Sequence, residues 1–348
     1  MRVSPLATRI LLAIGATGFG GPAACGSNAS VPPPDAAAES GITDASSDAD
    51  GAPVLDGPAE AQDAAPEAGT DAVADAPPDA PACVRRPFLV AGTTRAGGLR
   101  ARSDWGEADL DLDAATVLHP AARQALAAAW LEDGRQEHAS IAAFARFTLM
   151  ALSIGARPEH IAGAQRAALD EIAHARACFA LARRYGGEDV GPGELSLDGA
   201  LGALSLAELA VLTVHEGCVG ETLGVELARQ QLVGATDPLV VRALRRIVRD
   251  ETRHAELAWS FVRWAIGAGD AALRADVARA FEAAARASRT MGLAGDPDAR
   301  FSLDWRAHGR LTVAEVRSTV AAGLREVVDP CARALLGVSA PPERRATA

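Results

Sequence analysis

The sequence predicts an all-α protein whose folded part begins near Pro120, and three observations carry that reading. From Pro120 onward the chain is rich in Ala, Leu and Arg, with apolar residues recurring at a helical period of about 3.6. No convincing alternating strand pattern interrupts the run. The breaks SIGARPEH, YGGEDVGPGE, LVGATDP and IGAGD each carry Gly or Pro, where a helix should stop. Helices are therefore expected at roughly 120–153, 158–185, 204–233 and 237–267, followed by 271–289, 312–325 and 325–336. The first and third connections are short, so the helices they join should form antiparallel hairpins.

Upstream the chain reads differently. Residues 1–25 carry Arg2 and Arg9, then the apolar stretch Ile10–Gly21, then small residues ending in PAAC at Cys25. This is the pattern of an export signal, too short to cross a membrane as a mature helix. A cysteine directly after two alanines resembles the lipobox of bacterial lipoproteins, which would make Cys25 the lipidated residue. Pro22 departs from the usual aliphatic residue there, and an ordinary secreted protein is the alternative. The expected location is the cell envelope through a lipid anchor, otherwise the periplasm or the exterior.

Residues 26–82 are rich in Ala, Asp, Pro and Ser, with 12 acidic residues, no basic ones and no aromatic side chain. Such a segment cannot bury enough apolar surface to fold, and as a flexible tether it would span about 40 Å root-mean-square. It accounts for the formal charge of −11, leaving the rest of the chain almost neutral and without the basic footprint of a nucleic-acid binder. Residues 83–119 read as an irregular extension, 120–267 as the main helical domain and 268–348 as a C-terminal helical extension.

All 34 basic residues are arginine. The absence of lysine excludes a Walker-type phosphate loop and a lysine Schiff base on this chain. There is no GxSxG elbow and no CxxC pair, which leaves a serine hydrolase of that type and a rubredoxin-like module without support. Besides Cys25, four cysteines remain. Cys83 and Cys331 flank the helical region and could be bridged in an oxidising compartment, whereas Cys178 and Cys218 fall inside apolar helices and read as small buried hydrophobes.

The chemistry concentrates in two similar hairpins. Glu137–Ala156 (EHASIAAFARFTLMALSIGA) aligns with Glu216–Ala235 (EGCVGETLGVELARQQLVGA), and DEIAHARA at Asp170 then falls on DETRHAEL at Asp250 with one residue inserted. Each half therefore has a lone glutamate followed by Glu-x-x-His: Glu137 with Glu171 and His174, and Glu216 with Glu251 and His254. The separations between the glutamates are 34 and 35 residues, and across a tight turn such spacing brings them to similar heights. A spacing of three puts Glu and His on one helical face, and that face is otherwise apolar. Four carboxylates aimed at one dry core would cost several kcal/mol each if unpaired, and two divalent cations would cancel them.

Within the third helix Glu221 competes with Glu216. It sits five residues on, about 140° round an α-helix, and lacks the symmetric spacing, so Glu216 is preferred and Glu221 is the alternative. Asp170 and Asp250, each just before a candidate glutamate, read either as acceptors from a histidine's far nitrogen or as solvated helix charges. His138 and His215 point elsewhere, and Tyr185 lies about 16 Å along the helix from His174, suited to packing. Ala139, Ser140, Gly217 and Gly220 leave room beside the site or serve close helix packing.

Over residues 120–267 this pattern resembles the ferritin-like di-iron carboxylate superfamily, in which two helices each give a glutamate and two others each give Glu-x-x-His. The resemblance implies a four-helix bundle holding two iron ions, with manganese or a mixed Mn/Fe pair as variants. It also implies reaction with O₂ or peroxide, as an oxidase or oxygenase on an unidentified small molecule and with an unidentified electron donor. The alternatives are peroxide-scavenging or iron-oxidising chemistry like that of rubrerythrin or ferritin, or a non-enzymatic tethered metal-binding module.

Overall fold

The computed structural model describes residues 4–16, 86–106, 118–290 and 304–338. These belong to one of two units into which the chain divides; the other, Phe19–Ala74, lies outside the described residues. So do Cys25, Cys83 and the expected linker at 26–82.

The described chain is mostly helical. After α1 (Pro5–Ala13) come three short strands, β1 (Phe88–Val90), β2 (Thr93–Arg95) and β3 (Leu99–Ala101). The long helices α2 (Pro120–Ser153) and α3 (Pro158–Gly186) follow, then β4 (Val190–Pro192). Next comes a continuous helical run made of α4 (Leu206–Thr213), a π segment (Val214–Glu221) and α5 (Thr222–Gly234). Helices α6 (Pro238–Ala268) and α7 (Ala271–Arg289) complete the central part. A 3₁₀ turn (Trp305–His308) then leads to α8 (Val313–Gly323), a second π segment (Leu324–Val328) and α9 (Asp329–Leu336).

Local chemistry sets the ends of the helices that matter for the site. Proline occupies the first turn of α2, α3 and α6, where its missing N–H costs nothing. Asp237 caps α6 by accepting from the Leu239 and Val240 amides, and Ser205 with Glu208 forms a capping box on α4. Gly155, at φ +67°, lets the chain reverse between α2 and α3. The two hairpins expected from the short connections are both present, α2 against α3 and α5 against α6, and α3 packs against α6.

The extension expected to be irregular is partly regular in its described residues. β1 and β2 form an antiparallel hairpin whose turn residues Ala91 and Gly92 both have positive φ, 49° and 78°, the geometry a two-residue hairpin turn requires. β3 pairs with β4, Leu99 opposite Pro192. This segment is fastened to the helices: the Ser140 hydroxyl donates to the Arg86 carbonyl at 2.8 Å, and Arg135 donates to the Gly97 carbonyl at 2.9 Å.

α1 coincides with the stretch expected to serve as an export signal. Its Leu6, Ala7 and Ile10 are fully buried, on one helical stripe packed against α6 and α9, and Arg9 pairs with Glu256 at its rim. Cys331, the expected disulfide partner of Cys83, is buried with its Sγ 3.8 Å from the Ala7 carbonyl oxygen. Among the described residues no helix is long and apolar enough to cross a membrane.

Among the described residues the buried interior has two large apolar clusters and a smaller one around Phe88. One large cluster contains Phe144, Ala164, Ala167, Val214, Ala258 and Phe261; the other contains Trp130, Cys178, Leu181, Leu244 and Ile247. Along α2, α3 and α6 the chain passes from one cluster to the other through a polar layer at 137, 171–174 and 251–254.

Candidate metal centre

That polar layer is closed to bulk solvent. Glu137, Glu171, His174 and Glu221 have no exposed surface, Glu251 is 1% exposed and His254 2%. Two groups of side chains there offer ligand atoms within 4.8 Å of one another: Glu137, Glu171, His174 and Glu251, and Glu171, Glu221, Glu251 and His254. Glu171 and Glu251 belong to both groups, so they stand between two places that could each hold a metal ion.

The imidazoles are aimed by the helices that carry them. His174 Nδ1 lies 3.5 Å from an oxygen of Glu171 and 3.5 Å from one of Glu251, and His254 Nδ1 lies 3.1 Å and 3.4 Å from the other oxygens of the same two residues. On the far side each ring bonds to the aspartate of the opposite helix: His174 Nε2 to Asp250 and His254 Nε2 to Asp170, both at 3.2 Å. An ionised carboxylate only accepts, so Nε2 carries the proton and Nδ1 is the nitrogen presented to the centre. Arg253 bridges both aspartates, 2.9 Å from Asp170 and 2.8 Å from Asp250.

Both oxygens of Glu171, Glu221 and Glu251, and Nδ1 of both histidines, are buried without a hydrogen-bond partner of good geometry. Buried polar atoms are nearly always satisfied, and orphans concentrated on one set of metal-ligating atom types fit a cation. Electrostatics agrees. Burial alone would depress the His174 imidazole, but Asp250, Glu171 and Glu251 overcome it and raise it to about 10. Burial likewise opposes a charged His254, and Asp170, Glu171 and Glu251 push its pKa well above the usual value. Burial and the neighbouring Glu251 push the Glu221 carboxyl up, whereas for Glu251 the two imidazoles overcome burial and hold its carboxyl down.

Glu216, preferred on sequence spacing, belongs to neither group, and Glu221 takes the place next to Glu251 and His254. Glu216 instead pairs with Arg146, accepts from the Leu89 amide at 3.0 Å and lies 3.6 Å from an Arg86 nitrogen. The physical reason is the π segment at Val214–Glu221. Its wider turn changes the phase between residues 216 and 221, so an α-helical count of 140° does not apply. Turn counting also favours Glu221, since it and Glu251 each lie 15 residues from Thr236 in the α5–α6 connection. Gly217 permits the approach of this segment to α6, because a Cβ there would stand 2.4 Å from that of Ala258.

The other singled-out residues fall outside the polar layer's ligand groups. His138 packs edge-on against Trp105 at 5.2 Å. Tyr185 is buried, with its hydroxyl 2.9 Å from His308 Nδ1. Ser140 is buried and bonded to the extension through the Arg86 carbonyl. Arg86 and Arg146, both buried beside Glu216, carry no periodic or motif signal, and sequence reasoning misses them.

Searches of protein-family models, of curated proteins and of solved structures find no match to this chain.

Proposed function

We propose that the chain is a di-metal carboxylate protein of the ferritin-like type, with a four-helix bundle formed by α2, α3, the α4–α5 run and α6, and that it uses two iron ions to react with O₂ or peroxide as an oxidase or oxygenase. The observation that carries this reading is that the carboxylate oxygens of Glu171, Glu221 and Glu251 and the Nδ1 atoms of His174 and His254 are buried without hydrogen-bond partners of good geometry, between two apolar clusters. Glu137 and His174 would hold one ion, Glu221 and His254 the other, and Glu171 with Glu251 would serve both. Mixed carboxylate and imidazole donors suit iron or manganese. A pair of such ions, when bound, would supply electrons one at a time to an oxidant.

The protein's own contribution is positional. Asp170 and Asp250 fix the imidazole tautomers, and the apolar layers on either side exclude bulk water and strengthen charge interactions. Four glutamates balance two divalent ions, so the layer is neutral when loaded.

The test is metal analysis of the purified full chain after anaerobic iron loading, followed by exposure to O₂ or peroxide. Two irons per chain with an oxidant-dependent absorbance change support the reading, and a folded protein that takes up no iron refutes it. Consumption of O₂ coupled to an organic substrate separates an oxygenase from a peroxide scavenger, and metal uptake without either reaction assigns a binding module.

A further inference from the structure

Arg86 brings a buried positive charge to the edge of the carboxylate layer. It precedes β1, outside the helices, yet its side chain is only 3% exposed. Its guanidinium carbon stands 4.1 Å above the Phe144 ring, and that ring meets His254 edge-on at 5.1 Å. One terminal nitrogen is 3.6 Å from Glu216 and the other 3.9 Å from Glu221. Glu216 is shared with Arg146 and the Leu89 amide, so one carboxylate faces two guanidinium groups and neutralises Arg86 incompletely. Glu221 is the other carboxyl beside it.

The backbone holds Arg86 there. Ser140 of α2 donates to its carbonyl at 2.8 Å, and a Cβ on Gly217 would come within 3.4 Å of its guanidinium. The side chain is therefore pinned in a packed place, with little freedom to retreat when a cation arrives at Glu221.

We propose that Arg86 is a fixed internal cation beside Glu221 with which an incoming metal ion must share that carboxylate, so that Arg86 selectively weakens binding of the ion held by Glu221 and His254. The inference rests on the di-metal reading above and assigns one residue of the extension to the regulation of metal occupancy. Two like charges sharing one carboxylate in a low-dielectric layer repel strongly, so the loss falls on the Glu221 ion and less on the one near Glu137.

The test is calorimetric titration of the metal-free full chain with Mn²⁺, which avoids oxidation during the measurement. Arg86→Gln should tighten one of two binding steps by about tenfold or more while leaving the other nearly unchanged. Glu216→Gln leaves Arg86 with Glu221 as its remaining carboxylate and should weaken that same step; Glu221→Gln should abolish it in each background. Unchanged steps in Arg86→Gln, loss of both steps together, or tightening in Glu216→Gln would overturn the inference. If Arg86→Gln does not fold, the sign of the Glu216→Gln effect decides it. Absence of Mn²⁺ and iron uptake by the wild type would overturn the metal reading and this inference with it, whereas two ions bound with no dependence on Arg86 or Glu216 would overturn this inference alone.

Discussion

His174 on α3 and Asp250 on α6 are hydrogen-bonded at 3.2 Å although each belongs to a different Asp-Glu-x-x-His stretch, and His254 and Asp170 repeat the bond in the opposite sense at the same distance. Each stretch therefore aims the other's imidazole. Replacing Asp170 or Asp250 with Ala should lower metal affinity by roughly 10–100-fold, with Asn, which still accepts from Nε2–H, nearer the small end. Competition with a chelator of known affinity measures this, and circular dichroism should show helix content retained.

Metal uptake should release protons. In the metal-free protein His174 is raised to about 10 and His254 is raised too, so both rings are charged at neutral pH, whereas a ligand must offer a neutral Nδ1. Affinity should climb as pH rises toward 10. Calorimetry in buffers of different ionisation enthalpy counts the protons, and a buffer-independent heat would contradict the linkage.

The same shift gives the metal-free fold a pH dependence. A histidine raised in the folded state contributes stability that is fully present below its unfolded value, about 6.5, and is lost as pH rises through its folded value, about 10. The melting temperature of the metal-free protein should fall across that window. The metal-loaded protein, whose imidazoles are already neutral, should lose less, and thermal melts of the two forms side by side separate the site from the rest of the chain.

Glu221 and Glu216 should behave oppositely on substitution. Glu221→Gln removes a carboxyl that burial and the neighbouring Glu251 push toward the neutral form, so thermal stability without metal should be unchanged or higher while one ion is lost. Glu216→Gln leaves Arg86 and Arg146 without their shared carboxylate. That should cost about 3–5 kcal/mol, the usual penalty for breaking a buried ion pair, while two ions still bind at saturating metal. Urea melts and metal stoichiometry on the two variants check both halves.

Gly217→Ala tests the close approach of the π segment to α6. The new Cβ would stand 2.4 Å from that of Ala258, so the helices must part, at a cost of about 1–3 kcal/mol. A denaturant melt reads the stability loss, and weaker metal binding should accompany it.

Much of this arrangement is legible in the sequence because it follows from local rules. Proline at helix starts, Gly155 at the α2–α3 turn and apolar periodicity give the long helices nearly to the residue. Glu171, His174, Glu251 and His254 share helical faces at α-helical spacing, and the aspartates beside them follow from the same count. Glu221 is within reach of turn counting about Thr236, but α-helical phase argues against it, because the π segment leaves no clear mark beyond the nearby glycines at 217 and 220. Arg86 and Arg146 depend on where the extension crosses the helices, a long-range contact that no periodicity encodes. The packing of α1 is equally hidden, since an apolar stripe that suits an export signal also suits a protein core.

The most direct test of the central claim is the iron content of the anaerobically loaded full chain, measured beside Glu171→Ala and Glu251→Ala. Because both glutamates belong to both ligand groups, two irons should bind per wild-type chain and both should be lost together in either variant. A wild-type protein that stays folded and binds no iron, or variants that each retain the full complement, would contradict the account.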